Sequence, residues 1–193
     1  MIDKHSTRAR DIFAIESQVP DSHDAKNSHE VPSEILEKLT PMQAQVLNYF
    51  LQGLNHNKIM EVIGKNLSAV KAHFHRMYLA LGIDSQEQLM FEILGDIDPR
   101  GFKKFARRFD LTEDQARVLG LILKGNSHVE TAELLGIHTN SVENHLHNIR
   151  EKTGMTKHTA QIFLFVHNWI KQNTSGPNAT PPSPVDKPAP SAP

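Results

Sequence analysis

Residues 39–82 lie on residues 111–154 without a gap, and 15 of the 44 paired positions are identical. Leu39, Thr40, Gln43, Ala44, Val46, Leu47, Leu51, Gly53, His56, Glu61, Gly64, Val70, His73, His75 and Gly82 each recur 72 residues on. The three glycines keep their register, and glycine is the residue that enters left-handed backbone without steric cost, so the same turns are expected twice. Two copies are too few to stack as a solenoid. The repeat therefore predicts two small units of one fold.

Each copy reads as helices. Thr40 and Thr112 are good N-caps for a first helix. Its apolar positions are Val46, Leu47, Phe50 and Leu51, matched by Val118, Leu119, Ile122 and Leu123, which form one helical face. Gly53 and Gly125 stand where a left-handed C-cap is needed. A second helix starts at Asn55 in one copy. In the other it starts at Ser127, with Glu130 three residues on as a capping box. It is expected to bury Ile59, Val62 and Ile63, or Ala132, Leu134 and Leu135. Gly64 and Gly136 then make a short turn into a third helix. On that helix Val70, His73, Phe74, Met77 and Leu81 share a face, as do Val142, His145, Leu146 and Ile149. Lys71, Ala72, His75, Arg76 and Leu79 point away in the first copy; Glu143, Asn144, His147, Asn148 and Glu151 do so in the second. Helix, tight glycine turn and amphipathic helix form a helix-turn-helix pattern. Ser85 with Gln88, and Thr156, are expected to start a fourth helix in each copy. The second of these, "AQIFLFVHNWIK", is apolar over more than one face, so part of it should meet a partner surface.

The ends differ from this pattern. Of 193 residues only 38% are apolar, and the shortfall is terminal. Residues 1–34 carry few large apolar side chains, and residues 173–193 hold most of the eleven prolines. Neither segment can offset its ordering entropy by burial, so both are expected to be disordered. The Pro-rich tail has the composition of a docking ligand, but a plain disordered tail is the simpler reading. There is no cysteine, which excludes disulfides and cysteine-based zinc sites. No stretch approaches a membrane span or a signal peptide, so the expectation is a cytoplasmic protein.

"LTPMQAQVLNYFLQGLNHNKIMEVIG…AVKAHFHRMYLALGI" resembles the LuxR-type (GerE or NarL-type) four-helix DNA-binding domain, and "LTEDQARVLGLILKGNSHVETAELLGI…SVENHLHNIREKTGM" resembles a second one. The resemblance rests on Leu-Thr-Pro/Glu, Val-Leu, the glycines, Val-x-x-His and the closing Gly. It implies a bacterial, nucleoid-associated transcription regulator whose third helix lies in the DNA major groove and whose fourth dimerises. It carries base- and phosphate-facing roles onto Lys71, Ala72 and His75, and onto Glu143, Asn144 and His147. Ser68, Arg76, Asn140 and Asn148 complete the candidate reading set. Leu89, Met90 and Ile93, with Ile162, Phe163, Val166 and Trp169, are the candidate dimerisation residues. Family members usually carry Lys or Arg along helix 3; Glu143 and Glu151, with Glu130 and Glu133 on helix 2, depart from that.

The fold expected is all-α. Residues 35–95 and 111–172 form two tandem four-helix helix-turn-helix domains. They are joined by a basic helical linker at 96–110 and flanked by the terminal segments 1–34 and 173–193. Net charge is −1, and DNA affinity comes largely from neutralised phosphates. The local exception is the linker, where Arg100, Lys103, Lys104, Arg107 and Arg108 fall at i, i+3, i+4, i+7 and i+8. Such a stripe suits phosphates, or is simply a solvated face. On the reading helices Lys71 and Arg76 suit phosphate or guanine, Asn144 adenine, and Glu143 the cytosine N4 amine. Surface histidines would gain charge below pH ~6.5 and tighten DNA binding in acid. His73-x-His75 and His145-x-His147 point to opposite sides of a helix and cannot chelate one ion, so no metal or cofactor is expected. No nucleophile elbow, phosphate loop or thiol suggests an enzyme.

Two functions fit. One is a DNA-binding transcriptional regulator acting on double-stranded DNA, in which the two fourth helices pair within one chain and the unlike outer faces read an asymmetric site. The other is a protein-interaction regulator that pairs with another LuxR-type regulator through helix 4 and touches DNA weakly or not at all. A homodimer or heterodimer through helix 4 is the corresponding intermolecular geometry.

Overall fold

A computed structural model describes residues 31–156 and 158–174, and among them it contains ten helices and no strand. They are α1 (Ser33–Leu36), α2 (Pro41–Leu51), α3 (His56–Ile63), α4 (Leu67–Leu81), α5 (Gln86–Leu94), α6 (Pro99–Arg108), α7 (Glu113–Ile122), α8 (His128–Leu135), α9 (Thr139–Thr153) and α10 (Thr159–Thr174). The repeat begins alike in both copies because the caps are alike. Thr40 Oγ1 accepts from the Gln43 N–H at 3.4 Å while Gln43 Oε1 accepts from the Thr40 N–H at 2.7 Å. Thr112 and Gln115 form the same box at 3.3 and 3.0 Å. Each box satisfies two of the amides that a helix start leaves without partners.

The turn between second and third helices is also repeated. Gly64 and Gly136 cap α3 and α8 in left-handed conformation, at φ 62° and 64°. α4 then packs across α2 and α3, and α9 across α7 and α8. Val70, Phe74 and Met77 on α4 are buried, and Val142, Leu146 and Ile149 on α9 repeat them.

The fourth helices do something else. α10 packs on α5, on α6 and on the end of α2, so its main neighbours precede residue 110. Glycine makes the reciprocal approaches possible. A Cβ on Gly125 would lie 3.1 Å from Phe91 Cβ and 3.3 Å from Gln88 Cα of α5. A Cβ on Gly53, its counterpart in the first copy, would overlap the Gln161 side chain of α10. Each copy thus receives the other's fourth helix at the same point of its fold.

α6 is the third partner of this arrangement. Asp98 caps it, accepting from Arg100 N at 3.2 Å and Gly101 N at 2.8 Å. Its buried Phe105 meets Phe109 at 4.7 Å and Trp169 of α10 at 5.4 Å between ring centroids. Gly101 is buried against Ile170: an added Cβ would overlap Ile170 Cγ2 and approach Thr174 Cγ2 at 3.1 Å. Gly101→Val should therefore cost about 1–3 kcal/mol by overpacking. Gly120→Ala in α7 places its Cβ 3.5 Å from Phe102, an ordinary contact. It should be neutral or stabilise by up to about 1 kcal/mol. Urea midpoints of the two variants check the contrast.

Several expectations need correction. Val62 and Leu134 are not core residues; they are 46% and 62% exposed. Leu134 instead lines an open groove of about 650 Å³ with Phe102, Leu121 and Leu135. The helix surface offers two adjacent apolar stripes there, and the core takes the one through Ile59 and Ala132. The first boundary also moves: Val31 and Ile35 are both buried, so the fold begins inside the expected 1–34 segment. α10 starts at Thr159 rather than next to Thr156, and runs to Thr174, past the expected boundary at 172. The expectations for residues 1–30 and 175–193 fall outside the described residues.

Candidate nucleic-acid interface

The two candidate reading helices, α4 and α9, keep their hydrophilic sides open. On α4, Ser68, Lys71, His75 and Arg76 are exposed and Ala72 is half-buried. On α9, Asn140, Glu143, Asn144, His147 and Asn148 are all exposed. The division follows from helical period, since the positions between them feed the two cores. His73 and His145 lie half-buried on the inner sides. Burial, then the nearby Arg76 and Lys65, hold the His73 ring below its usual pKa.

The two outer surfaces carry opposite charge. Around α3 and α4 stand Lys58, Lys65, Lys71 and Arg76, with Glu61 paired to Lys58 at 3.1 Å. Around α8 and α9 stand Glu130, Glu133, Glu143 and Glu151. The Glu130 carboxyl sits below the ordinary carboxylate range because the Ser127 backbone N–H donates to it at 2.7 Å, helped by the Ser127 side chain. Lys152 does not offset these charges at the reading face. It reaches back to the Asp110 carbonyl and to Gln115 Oε1.

Arg100, Lys103, Lys104, Arg107 and Arg108 are exposed on α6. Arg108 stands 5.9 Å from the Phe109 ring centroid. Opposite the stripe, Phe105 anchors α6 to α10, so the cations sit on a rigid element rather than a loose tether.

The candidate dimerisation side chains are already covered. Leu89, Met90, Ile93, Ile162, Phe163 and Val166 are buried within the single chain, and Trp169 is half-buried beside Phe105. The sequence reading missed the residues that make the crossed contacts: the side chains of Glu87, Phe91, His158 and Gln161 and the backbone of Gln88. A signal was present: Gly53 and Gly125 repeat in register, and Gln88 and Gln161 occupy matching turns of the fourth helices.

Among the described residues no group of three or more His, Asp or Glu side chains is placed to hold a metal ion. No helix there is long and apolar enough to cross a membrane.

Residues 110–165 match the GerE model, bacterial regulatory proteins of the luxR family. This part of the chain is similar to a LuxR-type helix-turn-helix domain. The match starts one residue before Leu111 and ends within α10, so it takes in α7, α8 and α9. No curated protein and no solved structure shows a significant match to the chain. The similarity of residues 110–165 to this family of bacterial regulatory proteins supports a DNA-binding transcription regulator.

Proposed function

We propose that this protein regulates transcription by reading an asymmetric DNA site with two helix-turn-helix units held together in one chain. Residues 39–82 are the first unit and the LuxR-type domain is the second. The observation that carries the reading is the crossed packing of α5 and α10 beneath two open, unlike reading helices. Paired readers of this kind contact half-sites about one DNA turn, ~34 Å, apart. Covalent linkage replaces bimolecular pairing with a high effective concentration. The first unit and the α6 stripe supply the phosphate contacts. The second unit supplies base selection through Asn140, Asn144 and Asn148, with Glu143 suited to a cytosine amine.

The test is binding to random and selected duplexes across a salt series. Replacing Lys71 and Arg76 together with Ala should lower the slope of log K against log salt by about 1.8, since each lost phosphate contact removes about 0.9. Glu143→Gln should change which sequences are selected and leave the slope nearly unchanged.

One observation favours a second reading. The acidic surface of α8 and α9 is poorly suited to phosphate, as expected of a regulator that acts by pairing with another LuxR-type protein. The burial of the helix-4 side chains inside the chain weighs against that use. Absence of any salt-sensitive duplex binding at low ionic strength would decide for it and against the DNA reader.

A further inference from the structure

The two copies meet along two seams that the repeat relates, and the seams differ in their ionisable groups. At the second seam Gly125 receives α5, and His128 at the start of α8 lies between carboxylates. Its Nε2 is 3.9 Å from Glu87 Oε1, and its Nδ1 is 4.0 Å from Glu143 Oε1. At the first seam Gly53 receives α10, and the residue in register with His128 is His56. Across from His56 stands another histidine, His158, just ahead of α10.

The surroundings of this pair suit neutral rings. His56 packs on Phe74 at 4.7 Å, and the Gln86 amide nitrogen lies 3.2 Å from its Nε2, as a donor to an unprotonated ring. His158 packs on Phe50 at 5.3 Å and donates to the Leu54 carbonyl. Its Nδ1 is buried without a hydrogen-bond partner. A proton added there would bury a charge and an unsatisfied donor together, which is costly. Among the described residues Lys71 on α4, also a cation, faces the pair. Glu61 on α3 is paired with Lys58. Glu87 on α5 faces Tyr78 and His128 instead.

We propose that the first seam is an acid-sensitive latch: protonation of His56 and His158 frees the start of α10 from the first unit, while His128, Glu87 and Glu143 keep the second seam closed. Burial, chiefly, holds both rings below the usual histidine pKa of 6.5 while docked. Released, they return towards it, so the open form binds more protons. Docking is then at full strength above about pH 6.5 and weakens as pH falls below it, by up to about tenfold per proton for each pH unit.

The absence of cysteine makes the test direct. Spin labels on Glu61→Cys and Thr156→Cys report the first seam, and labels on the register-equivalent Asp84→Cys and Glu133→Cys report the second. All four positions are exposed. In the full chain between pH 7.5 and 5, the Glu61–Thr156 distance distribution should lengthen and broaden, the Asp84–Glu133 distribution should stay narrow, and helicity by circular dichroism should hold. His56→Gln with His158→Gln should abolish the change. An unchanged first seam at pH 5, a response surviving the double substitution, or both seams opening together would each overturn the latch. Its consequence for DNA rests on the reading above: opening would spread the two readers and weaken binding to a spaced site. The distance measurement needs no DNA, so a working latch in a protein that ignores duplex would refute the DNA reading alone.

Discussion

A chain ending at Gly154 should lose its first half as well as its last helix. α10 buries Ile162, Phe163, Val166 and Ile170 completely or nearly so. At about 1.5–3 kcal/mol for each large apolar side chain removed from water, these four account for roughly 6–12 kcal/mol. That is an upper bound, because a real unfolded chain already hides some of this surface. It still matches the whole net stability of a typical domain, about 5–15 kcal/mol. The helices left uncovered are α5, α6 and the end of α2, all before residue 110. Circular dichroism of the shortened protein should show a loss of helix well beyond the 16 residues of α10. Two-dimensional amide spectra should lose dispersion for residues 31–95. Two autonomous units would behave otherwise: α2, α3 and α4 would keep their native spectrum, and the shared core inferred from the crossed helices would be wrong.

That shared core marks the limit of what the sequence made legible. Caps and turns are short-range chemistry, so Thr40, Thr112, Asn55 and Ser127 could be placed from the residue types alone. The outward sides of α4 and α9 were legible too, because a 3.6-residue period assigns faces once three or four apolar positions agree. Val62 and Leu134 were not, since on eight-residue helices two neighbouring apolar stripes satisfy the same period. The partner of the fourth helix was illegible for a different reason. Ile162, Phe163 and Val166 have the same spacing whether they pack in their own unit, in the other unit or on another molecule. Periodicity says that a face is buried and not by what. The pairing of His56 with His158 belongs to the same class: it joins residues about a hundred positions apart and exists only because α10 crosses to the first copy. The charge contrast between the two reading faces, by comparison, could be read in the sequence, because exposed residues need no partner to be identified.

Phe105→Ala should show whether α6 is a tether or part of the core. The sequence presents this segment as a connection, basic on one side with phenylalanines on another. In the fold Phe105 has no exposed surface, and its ring contacts Phe109, Phe165 and Trp169 at centroid distances of 4.7, 6.2 and 5.4 Å. Removing a buried ring of this kind costs about 3–5 kcal/mol, the lost transfer energy plus the cavity left behind. Phe105→Leu, which refills part of the space, should cost clearly less. Replacing the exposed Lys103 and Lys104 with Gln should change stability by no more than about 0.5 kcal/mol per residue. Urea titration gives the three values. Trp169 is the protein's one tryptophan, so its emission should shift to the red in Phe105→Ala as the aromatic cluster loosens. A cost within 0.5 kcal/mol of the parent protein would make α6 a tether after all. The lysine pair carries the complementary information: if it leaves stability alone and lowers the salt dependence of duplex binding, the two sides of one helix have separate jobs. The phenylalanines then hold the copies in register while the cations meet phosphate, and a reader fixed in register is what an asymmetric site of defined spacing requires.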